Sequence, residues 1–539
     1  MTPNFFYSIS PKKIYKHFKT SNHPHFTDDT VKKCKDFLKL LEDIGKCHLE
    51  KKRIEIQSNL SSIVVDLWVM MLKDSIDKLN KYNGIDYKDT IKGISRLKNY
   101  LESFQNSELL FYASDNWYRD TIYHQVWFYF VGEYVFDKFG IMEILIDNLV
   151  WYCDPLEDDK DKSGEARYAF FCIIALCHDL GKPLEKFHSI NSSIKDMLFN
   201  FKFLHFTPFK IEFPQTYNEM MKYLIKFLSK SGFKIKKDDI KKFSEIQQLI
   251  NLDSNQETPD GSPLSKGHIT IDTLFVKMEK KLEDLPFIQA LFSTALSELN
   301  HGILSCLLLL ESFRSFRDGL IYKHKNEKGM NEIYYVQKSY LTALGILKAI
   351  AYHGIEDIII SEINLPYFWI CLIDDLIEWY RPTRAGKDFI SSGLCRVKIK
   401  KPHFDELTDK KLIKKIHIGF FFYIAKDNED QKYNKNIKDI IHFFIDKLTK
   451  YYYILNINSF EFHIDVNFKE KLGGRIKLKY LYENRDDIQK SKIFIKYDCN
   501  STPDYEDNSE KKEIQKLLMK GINGAKKEIY NKLFKENKA

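Results

Sequence analysis

Apolar residues recur at helical spacing in one segment after another between Ser61 and Tyr380, with few breaks. SSIVVDLWVMMLKDSIDKL places them at i, i+3, i+4 and i+7, and DTIKGISRLKNYLESF continues the pattern. Thr121 to Phe139 and Ile141 to Cys153 read as two further helices, apolar enough to be buried. The charged stretch DPLEDDKDKSGEAR then reads as an exposed loop, and Tyr168 to Asp179 as a buried helix. Residues 190–285 carry a weaker signal: Asn218 to Gly232 is helical in pattern, and 252–268 (LDSNQETPDGSPLSKGH) is a polar loop. Helices resume over Phe287 to Arg314, Val336 to Tyr352 and Tyr367 to Tyr380, and RPTRAG stops the run. Only 22 Gly and 14 Pro occur in 539 residues, a shortage of breakers that favours long helices.

A chain of this length predicts two or three domains. Residues 1–60 read as a helical extension and 61–385 as a helical core with a polar insertion near 250–270. Beyond 385 the texture changes. LCRVKIKK, KIHIGFFFYIA, SFEFHIDVNF and GRIKLKYLY are short β-rich runs, with a helical IKDIIHFFIDKLTKYY among them, so 386–505 predicts an α+β accessory domain. Residues 506–539 end the chain in a basic helix over Lys511 to Lys535. The expected class is therefore mainly α.

Net charge is +8, made up of +11 over residues 384–539 and −3 before them. A basic C-terminal third favours polyanions such as nucleic acid, although a Lys-rich solvated surface gives the same balance. The nine cysteines are scattered and form no CxxC pair, so neither a zinc knuckle nor a disulfide framework is implied. The N-terminal residues lack a secretory pattern, and runs such as FFCIIALC fall far short of the ~20 residues needed to span a bilayer. The expectation is a cytoplasmic protein with no membrane association; an oligomer is compatible with it.

The most informative segment is ALCHDLGKPL, residues 175–184, where an apolar helix delivers adjacent His178 and Asp179, then a Gly turn, then Lys182. A His-Asp dipeptide alone is a weak signal. The buried helix before it, the HDxGK spacing and isolated histidines on other helices make it specific. With His124 (YRDTIYHQVWFYF), His301 (ELNHGILSCLLL), His353 (AIAYHGIE) and Asp374 (FWICLIDDLIEWYRP), this segment resembles the HD-domain metal-dependent phosphohydrolases. Those all-helical enzymes follow the pattern H…HD…D, with two added histidines in dinuclear members. The resemblance covers residues 110–385 and leaves out the N-terminal 60 and the C-terminal 150 or so.

The resemblance implies two divalent ions, of Mn, Fe, Mg, Zn or Ni type, held by His124, His178, Asp179, His301, His353 and Asp374, with Asp179 as a bridge. Such a pair shares a hydroxide and clamps phosphoryl oxygens during in-line attack. Lys182 is then placed to stabilise developing charge, Arg119 and Arg381 to grip a phosphate, and Asp120, Asp375 and Glu378 to orient imidazoles. The implied activity is hydrolysis of a phosphoester or phosphoanhydride in a nucleotide or nucleic acid. Phosphodiesterase, dNTP hydrolase and nuclease stay unseparated, and a catalytically silent module that senses a nucleotide or nucleic acid is the alternative.

Each residue also has a plainer reading. A lone histidine such as His301 on an apolar helix is more often a satisfied core residue, and Asp374 with Asp375 fits an exposed acidic pair. Yet Asp374 follows YFWICLI, where burying an unpaired carboxylate costs several kcal/mol. His188, His205 and His268 read as structural or exposed, with His188 near enough in sequence to act as a proton donor. Cys177 reads as a packing residue.

Overall fold

The computed structural model describes residues 6–46, 50–83, 90–114, 121–142, 160–188, 286–313, 331–355 and 366–377. It also describes positions 221, 224, 225, 228, 315 and 316, and strands over 395–404, 413–424, 461–470, 474–481 and 492–499. The described part is mainly α, and none of its helices is long and apolar enough to cross a membrane. Two units are present: Tyr15–Ile355 with Leu365–Ile370, and Met1–Ile14 with Glu356–Asn364 and Cys371–Ala539.

The first unit is helical. Its elements are α1 (Pro11–Thr20), which begins in the other unit, α2 (Asp28–Lys46), α3 (Glu50–Tyr82), α4 (Thr90–Ser114), α5 (Thr121–Phe139) and α6 (Lys160–Cys177). Then come α7 (Pro286–Ser297), α8 (His301–Ser312), α9 (Asn331–His353) and the start of α10 (Pro366–Ile377). The long helix α3 packs along α2, α4, α5 and α6, while α9 packs on α8 and α6. Helix α5 is apolar all round and lies at the centre, with Trp127, Phe128, Tyr129 and Phe130 wholly buried. It stops at Gly140, whose φ of +63° suits glycine; the Ile141 N–H reaches back to the Phe136 carbonyl at 3.1 Å.

Three boundaries differ from the sequence pattern. Helix α3 starts at Glu50, well before Ser61, because the charged residues 50–60 are good helix formers. The charged stretch expected as a loop is helical from Lys160 onward, and Glu165 there pairs with Lys78 on α3 at 2.8 Å. The apolar run Phe287 to Arg314 is two helices, broken at residues 298–300. The polar loop 252–268, the helix expected near 437–452 and the C-terminal helix lie outside the described residues.

The second unit contains a six-stranded sheet in sequential order: β1 (Phe6–Ile9), β2 (Cys395–Phe404), β3 (Ile413–Ile424), β4 (Glu461–Glu470), β5 (Gly474–Leu481) and β6 (Lys492–Cys499). Neighbours are antiparallel except β3 and β4. The register sets apolar positions opposite one another: Val397 and Phe420, Phe420 and Val466, Val466 and Leu478, Leu478 and Ile495. The N-terminal strand, four residues long, is too short for its alternation to stand out in the sequence.

A buried polar pair ties α5 to the segment after α1. His23 Nδ1 lies 2.8 Å from Glu133 Oε1, with both side chains 2% exposed, and His23 Nε2 contacts the Phe18 carbonyl at 2.9 Å. Burial pulls the His23 pKa down, but the Glu133 carboxylate outweighs it and the net shift is upward from 6.5. A raised histidine pKa stabilises fully below the unfolded value and ceases to do so as pH rises through the folded one. His23→Ala is therefore expected to cost about 3–5 kcal/mol at pH 6 and less at pH 9, measured by urea unfolding of both proteins. Equal losses at the two pH values would contradict this account.

Candidate metal centre

The site begins at the C-terminus of α6, whose last turns, AFFCIIALC, are wholly apolar and buried. Residues 178–181 (HDLG) then turn, and 182–188 resume as helix. The turn is pinned from outside. Trp68 Nε1 on α3 donates to the Leu176 carbonyl at 3.0 Å and to Gln125 Oε1 on α5 at 2.8 Å, so one indole holds α5 and α6 together. The Gly181 N–H donates to Ser305 Oγ on α8 at 2.8 Å, and that oxygen lies 3.0 Å from the His178 carbonyl. A Cβ on Gly181 would stand 2.3 Å from the His301 carbonyl oxygen and 2.9 Å from the Ser305 nitrogen. Backbone cannot yield there, so the close approach of α8 requires glycine.

Helices α8 and α9 bring two further imidazoles to this turn. The break before α8 passes through Leu299, at φ 54°, a left-handed conformation that costs a branched residue about 1–2 kcal/mol. Leu299 is buried, and the Asn300 N–H closes the turn on the Ala295 carbonyl at 2.8 Å. Asn300 caps α8, its Oδ1 accepting from the Gly302 N–H at 2.9 Å while its Nδ2 donates to the Gly354 carbonyl at 2.6 Å. One side chain thus clasps two His-Gly steps, His301-Gly302 at the start of α8 and His353-Gly354 at the end of α9.

The result is four imidazoles around one carboxylate. Asp179 Oδ2 lies 3.6 Å from His124 Nε2 and 3.8 Å from His178 Nε2. Asp179 Oδ1 lies 3.5 Å from His301 Nε2, 4.0 Å from His353 Nε2 and 3.7 Å from Lys182 Nζ. Each oxygen therefore serves its own pair of histidines. Side-chain exposure is 0% for His124 and His178 and 1% for Asp179, rising to 12% at His301 and 29% at Lys182. Glu185, which meets His301 Nδ1 at 3.1 Å, also lines a cavity of about 280 Å³ together with Lys186, His188, Glu298 and Asn300.

Hydrogen bonding selects the tautomers. His178 Nδ1 meets the Ala175 carbonyl at 2.8 Å, and a carbonyl only accepts, so the proton is on Nδ1. His301 Nδ1 meets the Glu185 carboxylate at 3.1 Å and is protonated for the same reason. In the neutral rings both Nε2 atoms then carry lone pairs directed at the centre. His178 Nε2 lies 3.3 Å from His124 Nε2, and buried His301 Nε2 makes no hydrogen bond among the described residues. Lone pairs converging on an anionic oxygen repel unless a proton or a cation lies between them.

Electrostatics keep Asp179 charged. Burial alone would push its carboxyl up, but the Lys182 ammonium and the imidazoles of His178, His301 and His353 hold it well below the ordinary carboxylate range. Burial likewise opposes ionisation of Glu185, and the His301 hydrogen bond more than offsets it. The Cys177 thiol is pushed up by burial, which suits a packing residue. Neutral imidazoles and carboxylates at this spacing form a donor set for divalent ions. His124, His178 and Asp179 group within 4.8 Å, as do Asp179, His301 and His353, so the buried cluster can hold metal.

Of the residues expected as ligands, five meet in the helical unit. Asp374 is half-buried on α10 and lies in the other unit. Arg119, Asp120, Glu378, Arg381, His205 and His268 lie outside the described residues, as does the side chain of Asp375. His188 is exposed, in the cavity wall. Glu185, Asn300 and Ser305 also hold the centre and belong to no motif singled out in the sequence. The two His-Gly steps and an acid six residues after Asp179 were the available signals. Compared with family models, curated proteins and solved structures, the chain matches none.

Gly181→Ala is expected to push α8 away from the turn, lowering stability by roughly 1–3 kcal/mol and weakening Mn²⁺ binding. Parallel unfolding and calorimetric titration check this, and an alanine variant equal to wild type in both would show that the approach is not tight.

Proposed function

We propose that this chain is an HD-type metal-dependent phosphohydrolase acting on a phosphoester or phosphoanhydride of a nucleotide or nucleic acid. The observation that carries the reading is the division of Asp179: one oxygen faces His124 and His178, the other His301 and His353. His124 and His178 would hold one divalent ion, His301 and His353 a second, Asp179 would bridge them, and Asp374 is proposed as the sixth ligand. When bound, such ions activate water near neutral pH and neutralise charge on phosphoryl oxygens.

The chain's own residues supply the rest. Lys182 is partly exposed with its ammonium 3.7 Å from Asp179 Oδ1, where it can attract an anionic phosphoryl group to the centre. The Phe128 ring packs on His124 and His178 on the buried side, which leaves substrate the outer side, by His301 and the cavity that Glu185 lines. His188, in the cavity wall, is the proposed proton donor to the leaving oxygen. A basic C-terminal third is compatible with a nucleic-acid substrate.

Purified protein should contain about two divalent ions per chain and release phosphate, or a nucleoside monophosphate, from one member of a nucleotide and oligonucleotide panel in Mn²⁺. Asp179→Ala should remove the metal and return turnover to the protein-free rate. Metal without turnover on any member would favour the silent sensor. A metal-free wild type, or an Asp179→Ala protein with full activity, would sink the proposal.

A further inference from the structure

We infer that Glu185 is a positioning residue that makes His301 a ligand, so that the two halves of the centre bind their ions unequally. The inference rests on the two-ion reading above and concerns how that site is regulated. The Glu185 Oε2–His301 Nδ1 bond of 3.1 Å fixes the ring with Nε2 turned to Asp179 Oδ1, 3.5 Å away. An ionised carboxylate behind an imidazole also raises the basicity of its far nitrogen.

Glu185 is held by the same turn that carries Asp179. Its N–H donates to the Gly181 carbonyl at 3.2 Å, as the Leu184 N–H does at 3.1 Å. The carboxylate is therefore delivered by the first turn of the helix that follows HDLG, six residues after Asp179.

The other half lies deeper in the helical unit. His178 Nδ1 is held by a main-chain carbonyl, and both His178 and His124 are fully buried. His301 and Glu185 are partly exposed, and Glu185 lines the cavity that opens beside them. The inner ion, on His124 and His178, is retained; the outer ion, on His301 and His353, exchanges with solvent through this opening. Free divalent cation concentration then sets how much of the enzyme is fully loaded, and Glu185 sets the midpoint.

Calorimetric titration of full-length, chelator-stripped protein with Mn²⁺ tests this. Wild type should show a tight and a weak class of site. Glu185→Ala should weaken the weak class about 10–100-fold and leave the tight class unchanged. Glu185→Gln, which still accepts the His301 proton but carries no charge, should fall between them. Circular dichroism confirms that each variant is folded. Both classes weakening together, or neither moving, would overturn the assignment. A wild type that binds no Mn²⁺ would fail the metal-centre reading itself, before Glu185 is at issue.

Discussion

A carboxylate 1% exposed among apolar helices is costly by several kcal/mol unless positive charge or donors surround it. Asp179 sets that condition for the whole helical unit. Lys182 supplies one cation at 3.7 Å, and four imidazoles surround the carboxylate. Two of those imidazoles have their protons committed to outward partners, so their remaining nitrogens turn lone pairs inward. Such an arrangement is poorly matched to empty space and well matched to cations.

The scaffold meets this condition through backbone contacts more than through side-chain bulk. Trp68 fastens α5 to α6, fixing His124 relative to His178. Gly181 lets the α8 backbone come within van der Waals contact of the HDLG turn, and Asn300 sets the α8 start against the α9 end. Leu299 holds a strained conformation at this junction, and its burial offsets the strain. Strain stored beside the proposed outer ligand pair suits a site whose geometry is over-determined by its surroundings.

Much of this was legible in the sequence. Helix α5, Thr121 to Phe139, stood out because the segment is largely apolar and is followed by a glycine. The HDxGK spacing located the carboxylate, and the order of the H…HD…D pattern, with its two added histidines, nominated the histidines that meet it. The break at 298–300 was hidden because its conformation rests on Leu299, which has no turn propensity, rather than on glycine or proline. Glu185 was hidden for a different reason. An acid in a charged stretch reads as solvated, and only the position of His301, 116 residues away, gives it a partner. Long-range pairing of this kind leaves no periodic trace.

The proposed centre requires ions lying between Asp179 and its histidines. Anomalous X-ray diffraction at the Mn edge, from crystals grown with Mn²⁺, locates them directly. Two peaks are predicted, each about 2.0–2.2 Å from a different oxygen of Asp179, one beside His124 and His178, the other beside His301 and His353. A map with no anomalous peak at coordination distance from either oxygen would contradict it.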